Sequence, residues 1–257
     1  MERLLNRLRG TGNRIRKEAY VIGYVALNLL KMLVKPREAT KFFAYIYQYG
    51  KKYPLEEIEI PELFPGINEL PVSFYKTGSE YGNASYFELY LLSALVRYTK
   101  SQSIFEIGTF KGITTLHLAI NSDQNARIFT LDLPPSLMPF TKFTFFDDNI
   151  KLEDKAQIGE KYRGTDVEHK ITQLYGDSTA FDYSQFYGEI DFVFIDGSHQ
   201  YEYVKSDSQN ALELLKEHGV ILWHDYQSEG VTRVVNELSV QKTIYSIRGT
   251  SLAIFIK

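Results

Sequence analysis

Five short, largely apolar runs constrain this chain more than any other feature: Ile104 to Ile107, Ile128 to Leu131, Ile171 to Leu174, Ile190 to Ile195 and Val220 to Trp223. Stretches with helical spacing separate them, Tyr201 to Glu217 being the clearest. Strands this continuously apolar need cover on both faces, which a parallel sheet between two layers of helices supplies. Ahead of the first run, Ser85 to Lys100 places Tyr86, Leu89, Leu92, Leu95 and Val96 at helical spacing, so a helix feeds the sheet. The tail KTIYSIRGTSLAIFIK reads as two strands joined at Arg248 to Thr250, a hairpin.

The start of the chain is different in kind. Arg3, Arg7, Arg9, Arg14, Arg16 and Lys17 face only Glu2 and Glu18 before a charge-free apolar stretch from Ala19 to Leu30. That stretch is too short to span a bilayer, and no small-residue cleavage site follows it. Helices packed on the catalytic body or on a second subunit are one reading, and a basic helix lying on an anionic membrane surface is the other. Pro54 to Pro71, with four prolines and alternating acidic and apolar residues, reads as an extended linker. The expected organisation is therefore a helical extension and linker over residues 1–71 and a catalytic domain over 72–257. With 257 residues, a formal net charge of −3 and no cysteine, the chain lacks the basic balance of a nucleic-acid grip and has neither disulfides nor thiolate chemistry. A cytoplasmic protein, membrane-associated if the basic helix works as one, fits that composition.

The first run ends in a glycine-lined turn. SIFEIGTFKG, Ser103 to Gly112, closes on Glu-x-Gly-x-x-x-Gly and leads into GITTLHLAI. Such a turn brings bare backbone and a helix N-terminus up to a ligand. Glu106 would repel a pyrophosphate and welcome a cationic group. The pattern resembles motif I of the class I S-adenosylmethionine (SAM) methyltransferases. That resemblance implies a doubly wound, mostly parallel, Rossmann-like seven-stranded sheet closed by a C-terminal β-hairpin, behind a helical N-terminal extension.

Ligands of open parallel sheets bind outside the carboxyl ends of the strands, and the acids of this chain recur there. Asp132 and Leu133 close the second run, where a carboxylate can accept hydrogen bonds from ribose hydroxyls. Gly176, Asp177 and Ser178 follow the third and resemble the family's adenine-edge motif. On that resemblance the cofactor residues are Glu106, Gly108, Thr109, Gly112, Asp132, Leu133, Gly176, Asp177 and Ser178, with SAM as the cofactor.

After the fourth and fifth runs come IDGSH (Ile195 to His199) and WHDY (Trp223 to Tyr226). Together these resemble a bacterial group that includes metal-dependent sugar O-methyltransferases, and the resemblance runs from about Tyr86 to the C-terminus. An alcohol acceptor must lose its proton as it attacks a methyl carbon, and His199, three residues past Asp196, is the base that near-neutral chemistry needs. Asp196, His224 and Asp225 fall at the ends of adjacent strands and could converge on Mg²⁺ or another divalent cation. Related metal-dependent enzymes carry a carboxylate where this chain has His224. Without a metal, Asp196 and His199 would form a carboxylate-oriented base. The resemblance implies a small-molecule or glycan-like hydroxyl acceptor, no nucleic acid, and SAM-dependent O-methylation. An apolar N-terminal helix with no partner in the sequence favours a homo-oligomer.

Two other functions use the same pattern. A nicotinamide-dependent oxidoreductase shares the sheet and the ribose-binding acid but lacks GxGxxG here. A non-catalytic module could keep the fold and bind a partner. The long connection Pro134 to Gly164 tends toward a functional or mobile role, and its rings Phe140, Phe143, Phe145 and Phe146 would either line an acceptor pocket or bury a helix against the N-terminal segment. His117, His169 and His218 are read as structural.

Overall fold

A computed structural model of the chain describes residues 55–75, 84–143 and 157–257. The basic N-terminal segment, with the helices and the membrane and subunit contacts expected of it, lies outside the described residues, as do Phe145 and Phe146. No helix among the described residues is long and apolar enough to cross a membrane.

In chain order the elements are β1 (Glu56–Ile58), α1 (Ile60–Leu63), α2 (Tyr86–Thr99), β2 (Ser103–Ile107), α3 (Ile113–Asn121), β3 (Arg127–Asp132), β4 (Ile171–Tyr175), β5 (Ile190–Ile195), α4 (Tyr201–Leu214), β6 (Leu215–Trp223), α5 (Glu229–Ser239), β7 (Ile244–Ile247) and β8 (Ala253–Ile256). One sheet runs β1-β7-β8-β6-β5-β2-β3-β4. Only β8 is antiparallel to its neighbours, β6 and β7, as the C-terminal hairpin requires. The strands alternate their residues between two packed faces. On one, Ile104, Ile128, Phe192, Phe194, Val220 and Leu222 meet Leu91, Leu92 and Leu95 of α2 and Leu118 of α3. On the other, Phe105 and Phe129 pack with Tyr183 and Phe186 at ring separations of 4.8 to 6.4 Å.

Among the described residues the sheet has eight strands where seven were expected. The additional one comes from the segment read as a linker. Glu56–Ile58 pairs in parallel with Tyr245–Ile247 at the sheet edge. Arg248 fastens it, donating its N–H to Ile58 O at 3.0 Å and its guanidinium to Glu57 and Glu59. Pro61 stands in the first turn of α1, where a missing N–H costs nothing. Ile60, Phe64 and Ile67 are buried in the same core as α2. The prolines therefore punctuate short elements instead of keeping the segment extended. A second difference is the end of α4, which stops at Leu214 because Leu215 pairs with Ile190 of β5. His218 accordingly lies within β6, at φ 64°, and not at a helix C-terminus.

Two helix ends bear on the rim of the sheet. Ser85 and Glu88 form a reciprocal capping box that starts α2. Lys170 closes α3 by donating to the carbonyls of Ala119, Ser122 and Asp123. Of the connection after β3, Phe140 is 81% exposed, and Phe143 sets its ring edge-on to Tyr203 of α4.

Candidate active site

The chain order reverses between β2 and β5, and at that switch point the ladder of backbone hydrogen bonds continues past the strand ends. Gly108 N–H donates to Leu131 O, Gly176 N–H to Asp132 O, Asp196 N–H to Ile107 O and His224 N–H to Ile195 O, at 2.8 to 3.0 Å. The residues expected to carry chemistry thus stand along a single rim. Gly108 joins its two halves. Its φ is +102°, and a Cβ there would lie 2.1 Å from the carbonyl oxygen of Asp196. Only glycine brings the turn after β2 this close to the end of β5.

On the β2–β4 half, Glu106 is fully buried. Its Oε2 accepts from the Thr130 hydroxyl at 2.6 Å and from the Thr115 hydroxyl, while Oε1 has no hydrogen-bond partner. Burial pushes this carboxyl up to about 8 against the lowering effect of the two threonines, with Asp196 and Asp132 adding to the rise. Thr109 is spent internally, with its hydroxyl 2.6 Å from that of Thr130 and accepting from Gln173. Gln173 accepts in turn from the Tyr162 hydroxyl at 2.6 Å. The Tyr162 ring lies against Gly112, the N-cap of α3. A polar chain therefore runs from Glu106 to Tyr162 beneath the glycine turn. Gly159 and Lys161 dock the returning connection on that turn by donating to Phe110 O and Lys111 O.

Asp132 and Asp177 are half-buried at the ends of their strands. Asp132 accepts from the backbone N–H of Phe110 at 2.6 Å and of Leu133 at 2.7 Å. Asp177 accepts from the N–H and hydroxyl of Thr179 and from Lys142 N–H. Leu133 is buried beside Asp132, and Ser178 offers its carbonyl to the Tyr183 hydroxyl. Asp207 was not anticipated. It is fully buried on α4 against Gly197, and burial pushes it up to about 7.

On the β5–β6 half, His199 is exposed and its Nε2 lies 2.9 Å from Asp225 Oδ2. That hydrogen bond raises the imidazole above its ordinary value, more than burial lowers it. Gly230 in α5 backs the loop so closely that a Cβ would meet His199 O at 2.1 Å. Asp225 holds φ at 51°, a strained conformation for an aspartate that turns its carboxylate toward both histidines. His224 is buried between three acids. Its Nδ1 lies 3.0 Å from Asp196 Oδ1 and 3.3 Å from Asp225 Oδ2, as oblique ion-pair contacts, and its Nε2 lies 3.4 Å from Glu88 Oε2. Burial alone would lower this histidine, but the surrounding carboxylates hold it well above its ordinary value. Burial would likewise raise Glu88 and Asp225, and their bonds to histidine and, for Glu88, Ser251 hold both below the usual carboxylate range.

The metal expectation meets this arrangement directly. Asp196, His199 and Asp225 each offer one ligand atom within 4.8 Å of the others. His224 stands beside them, its buried Nδ1 without a hydrogen bond and within 3.3 Å of both carboxylates. Glu88 was also missed as a site residue. The Ser85-x-x-Glu88 pattern signals its capping role but not its reach to Ser251, whose N–H and hydroxyl it accepts at 2.8 and 2.7 Å, or to His224.

Residues 105–226 match a family model described as a methyltransferase domain. The fold is similar to that of an O-methyltransferase from Streptomyces achromogenes involved in tomaymycin synthesis, solved with SAM, at TM-score 0.52 and 16% identity over 81% of this chain and 94% of that one. It is similar also to a putative caffeoyl-CoA O-methyltransferase from Staphylococcus aureus, at TM-score 0.52 and 18% identity over 84% and 98%. At these identities the likeness is one of fold. No curated protein matches the chain.

Proposed function

On the premise that residues 105–226 match a methyltransferase-domain model, we propose that the protein transfers the methyl group of SAM to a hydroxyl of a small or glycan-like acceptor. The observation that carries this reading is the His199–Asp225 pair, 2.9 Å apart at an exposed rim and joined through Asp196 and Gly108 to the glycine turn. SAM, when bound, supplies an electrophilic methyl carbon and a neutral thioether leaving group. The solved relative that carries SAM has the same fold, which supports this choice of cofactor.

The residues fit that cofactor. Asp132 and Asp177 stand at the ends of β3 and β4, where their side chains are suited to accept from hydroxyl and amino donors. Glu106 leaves a buried oxygen without a partner beneath the turn, and a positive charge brought near it would favour its ionised form. Gly108, Gly112 and Gly176 keep backbone accessible there, and Leu133 and Ser178 complete the cofactor side.

His199 has its Nε2–H directed at Asp225, since a carboxylate can only accept. Its Nδ1 is then the basic nitrogen. The acceptor hydroxyl gives its proton to Nδ1 as its oxygen forms the new O–C bond, and Asp225 stabilises the imidazolium that results. Asp196, tied to His224, borders the same space and can orient the acceptor. No step needs a cation. Residues 55–71 share the core of this domain, so we place its start before residue 72.

Calorimetric titration with S-adenosylhomocysteine tests the reading. Saturable binding is expected in the full-length protein, weakened by about tenfold to a hundredfold in Asp132→Ala, the value of a charged hydrogen bond. Absence of binding in the unaltered protein would overturn it. The oxidoreductase alternative predicts saturation by NADH instead, and the methyltransferase match leaves it without support.

A further inference from the structure

One fully buried acid stands apart from the strand ends. Asp207, on α4, has two carboxylate oxygens away from water, and neither makes a hydrogen bond. The next residue along the helix cannot satisfy them, since the Ser208 hydroxyl donates to Val204 O and accepts from Trp223 Nε1. Two turns of the rim reach this carboxylate. On the β5 side is Gly197, where a Cβ would lie 3.7 Å from Asp207 Oδ2. On the β4 side is Ser178, whose side chain opposes the rise that burial imposes on Asp207, while Asp177 adds to that rise. A neighbour that favours the carboxylate form does so by directing hydrogen toward it. Strands β4 and β5 are separated in the sheet by β2 and β3, so Asp207 is a point that the turns after both strands share behind the cofactor half. Ser178 is only half-buried, and its carbonyl is held by the Tyr183 hydroxyl at 3.1 Å. It therefore reaches the rim, which Asp207 does not.

We propose that Asp207 selects the purine of the cofactor through Ser178: it draws the serine hydroxyl hydrogen inward, so that the serine oxygen meets the exocyclic amino group of adenine as an acceptor. The inference rests on the proposed use of SAM. An ionised carboxylate can only accept, and a hydroxyl donates once. With its hydrogen spent on Asp207, Ser178 has only lone pairs to offer a ligand. The amino group of adenine carries two hydrogens, and the neighbouring Asp177 and Ser178 can each take one. A hypoxanthine base carries an oxo group at the same position and would meet acceptors only. Burial sharpens the preference, because polar atoms left facing one another away from water lose the hydrogen bonds that solvent gave them. Asp207 touches no ligand in this scheme, and it is a positioning residue.

The test is calorimetric titration of the full-length protein with S-adenosylhomocysteine and with S-inosylhomocysteine, its hypoxanthine analogue, on the alkaline side of neutral, where Asp207 is ionised. The unaltered protein should bind the adenine compound about tenfold to a hundredfold more tightly. Asp207→Asn keeps the size of the side chain, but its amide can donate to Ser178 and let the serine hydroxyl turn outward toward an oxo group. The preference should then fall by about tenfold. An acid that merely supports the fold would weaken both compounds together and leave their ratio unmoved, and that result would overturn the inference. So would equal binding of the two compounds by the unaltered protein. Ser178→Ala should lower the ratio as far as Asp207→Asn, and the double variant no further, because the two side chains act as one chain; losses that add would overturn it. Should Asp207→Asn fail to fold, Ser178→Ala decides alone, a fallen ratio supporting the inference and an unmoved one overturning it. If the unaltered protein binds neither compound, the proposed function itself fails. Binding of both with an unmoved ratio in the variants leaves that function standing and removes only the role of Asp207.

Discussion

The two halves of the rim hold their acids by different means. On the β2–β4 side, Glu106, Asp132 and Asp177 are met by neutral donors: the hydroxyls of Thr115, Thr130 and Thr179 and the backbone N–H groups of Phe110, Leu133 and Lys142. On the β5–β6 side, Glu88, Asp196 and Asp225 are met by His199 and His224. Neutral donors fix a shape without bringing a compensating charge. Charged partners cancel the negative charge and make the half responsive to protons. A site that must bind a cationic cofactor at one end and remove a proton at the other needs both.

The largest disturbance should come from the junction of the halves. Gly108→Ala sets a Cβ against Asp196 O and strains a φ of +102°. A loss of about 3 kcal/mol or more in urea denaturation is expected, with cofactor affinity falling alongside it. A variant as stable as the parent would mean that the halves are not rigidly joined.

Separating the halves is the work of His199→Ala. Turnover should drop by about 10²- to 10⁴-fold, the range for a general base, while calorimetry with S-adenosylhomocysteine stays unchanged. Equal loss of both would show that the histidine belongs to the cofactor side.

Proton dependence sharpens the contrast. His199 must be neutral to act, and Asp225 raises its pKa above 6.5, so kcat should climb with pH through a value above 6.5 and then level. Asp225→Asn removes the cause and should return that limb toward 6.5. On the other half, Glu106 is the exception to pH indifference. Its pKa rises from 4.5 unfolded to about 8 folded. The folded state holds a proton that the unfolded state has released, so stability should fall as pH rises through that window, by roughly 2–4 kcal/mol in all. Glu106→Gln should flatten this dependence in denaturation curves between pH 5 and 8, and an unchanged slope would assign it elsewhere.

The smallest effect is expected behind the cofactor half. Asn121 clasps the backbone of Ser73 by two hydrogen bonds of 2.7 and 2.9 Å, and neighbouring His117 accepts from Tyr75 N–H. Burial holds His117 below its ordinary value, in keeping with a neutral structural role. Asn121→Ala should cost about 1 kcal/mol in thermal unfolding and leave the pH profile of turnover unmoved.

Much of this rim was legible because strand ends announce themselves. An apolar run closing on an acid or a glycine is a local pattern, and in a parallel sheet every such ending faces the same way. Glu106, Asp132, Asp177, Asp196 and Asp225 could therefore be located along the sheet from order alone. The strand at Glu56–Ile58 could not, because three residues among prolines carry no periodicity, and their pairing with Tyr245–Ile247 depends on an edge formed nearly two hundred residues later. Glu88 was hidden for a related reason, since a capping pattern accounts for it fully within its own helix.

What the amino-acid order determined by itself was the class of sheet, its hairpin closure and the row of acids on its rim, all of which follow from short-range alternation of apolar and polar residues. Which group neutralises which acid was decided only by the tertiary structure. Glu88, Asp196, His224 and Ser251 meet because α2, the end of β5, the end of β6 and the turn before β8 are packed on one core. Charge pairing acts through space, and the distances that govern it exist only once the chain has folded.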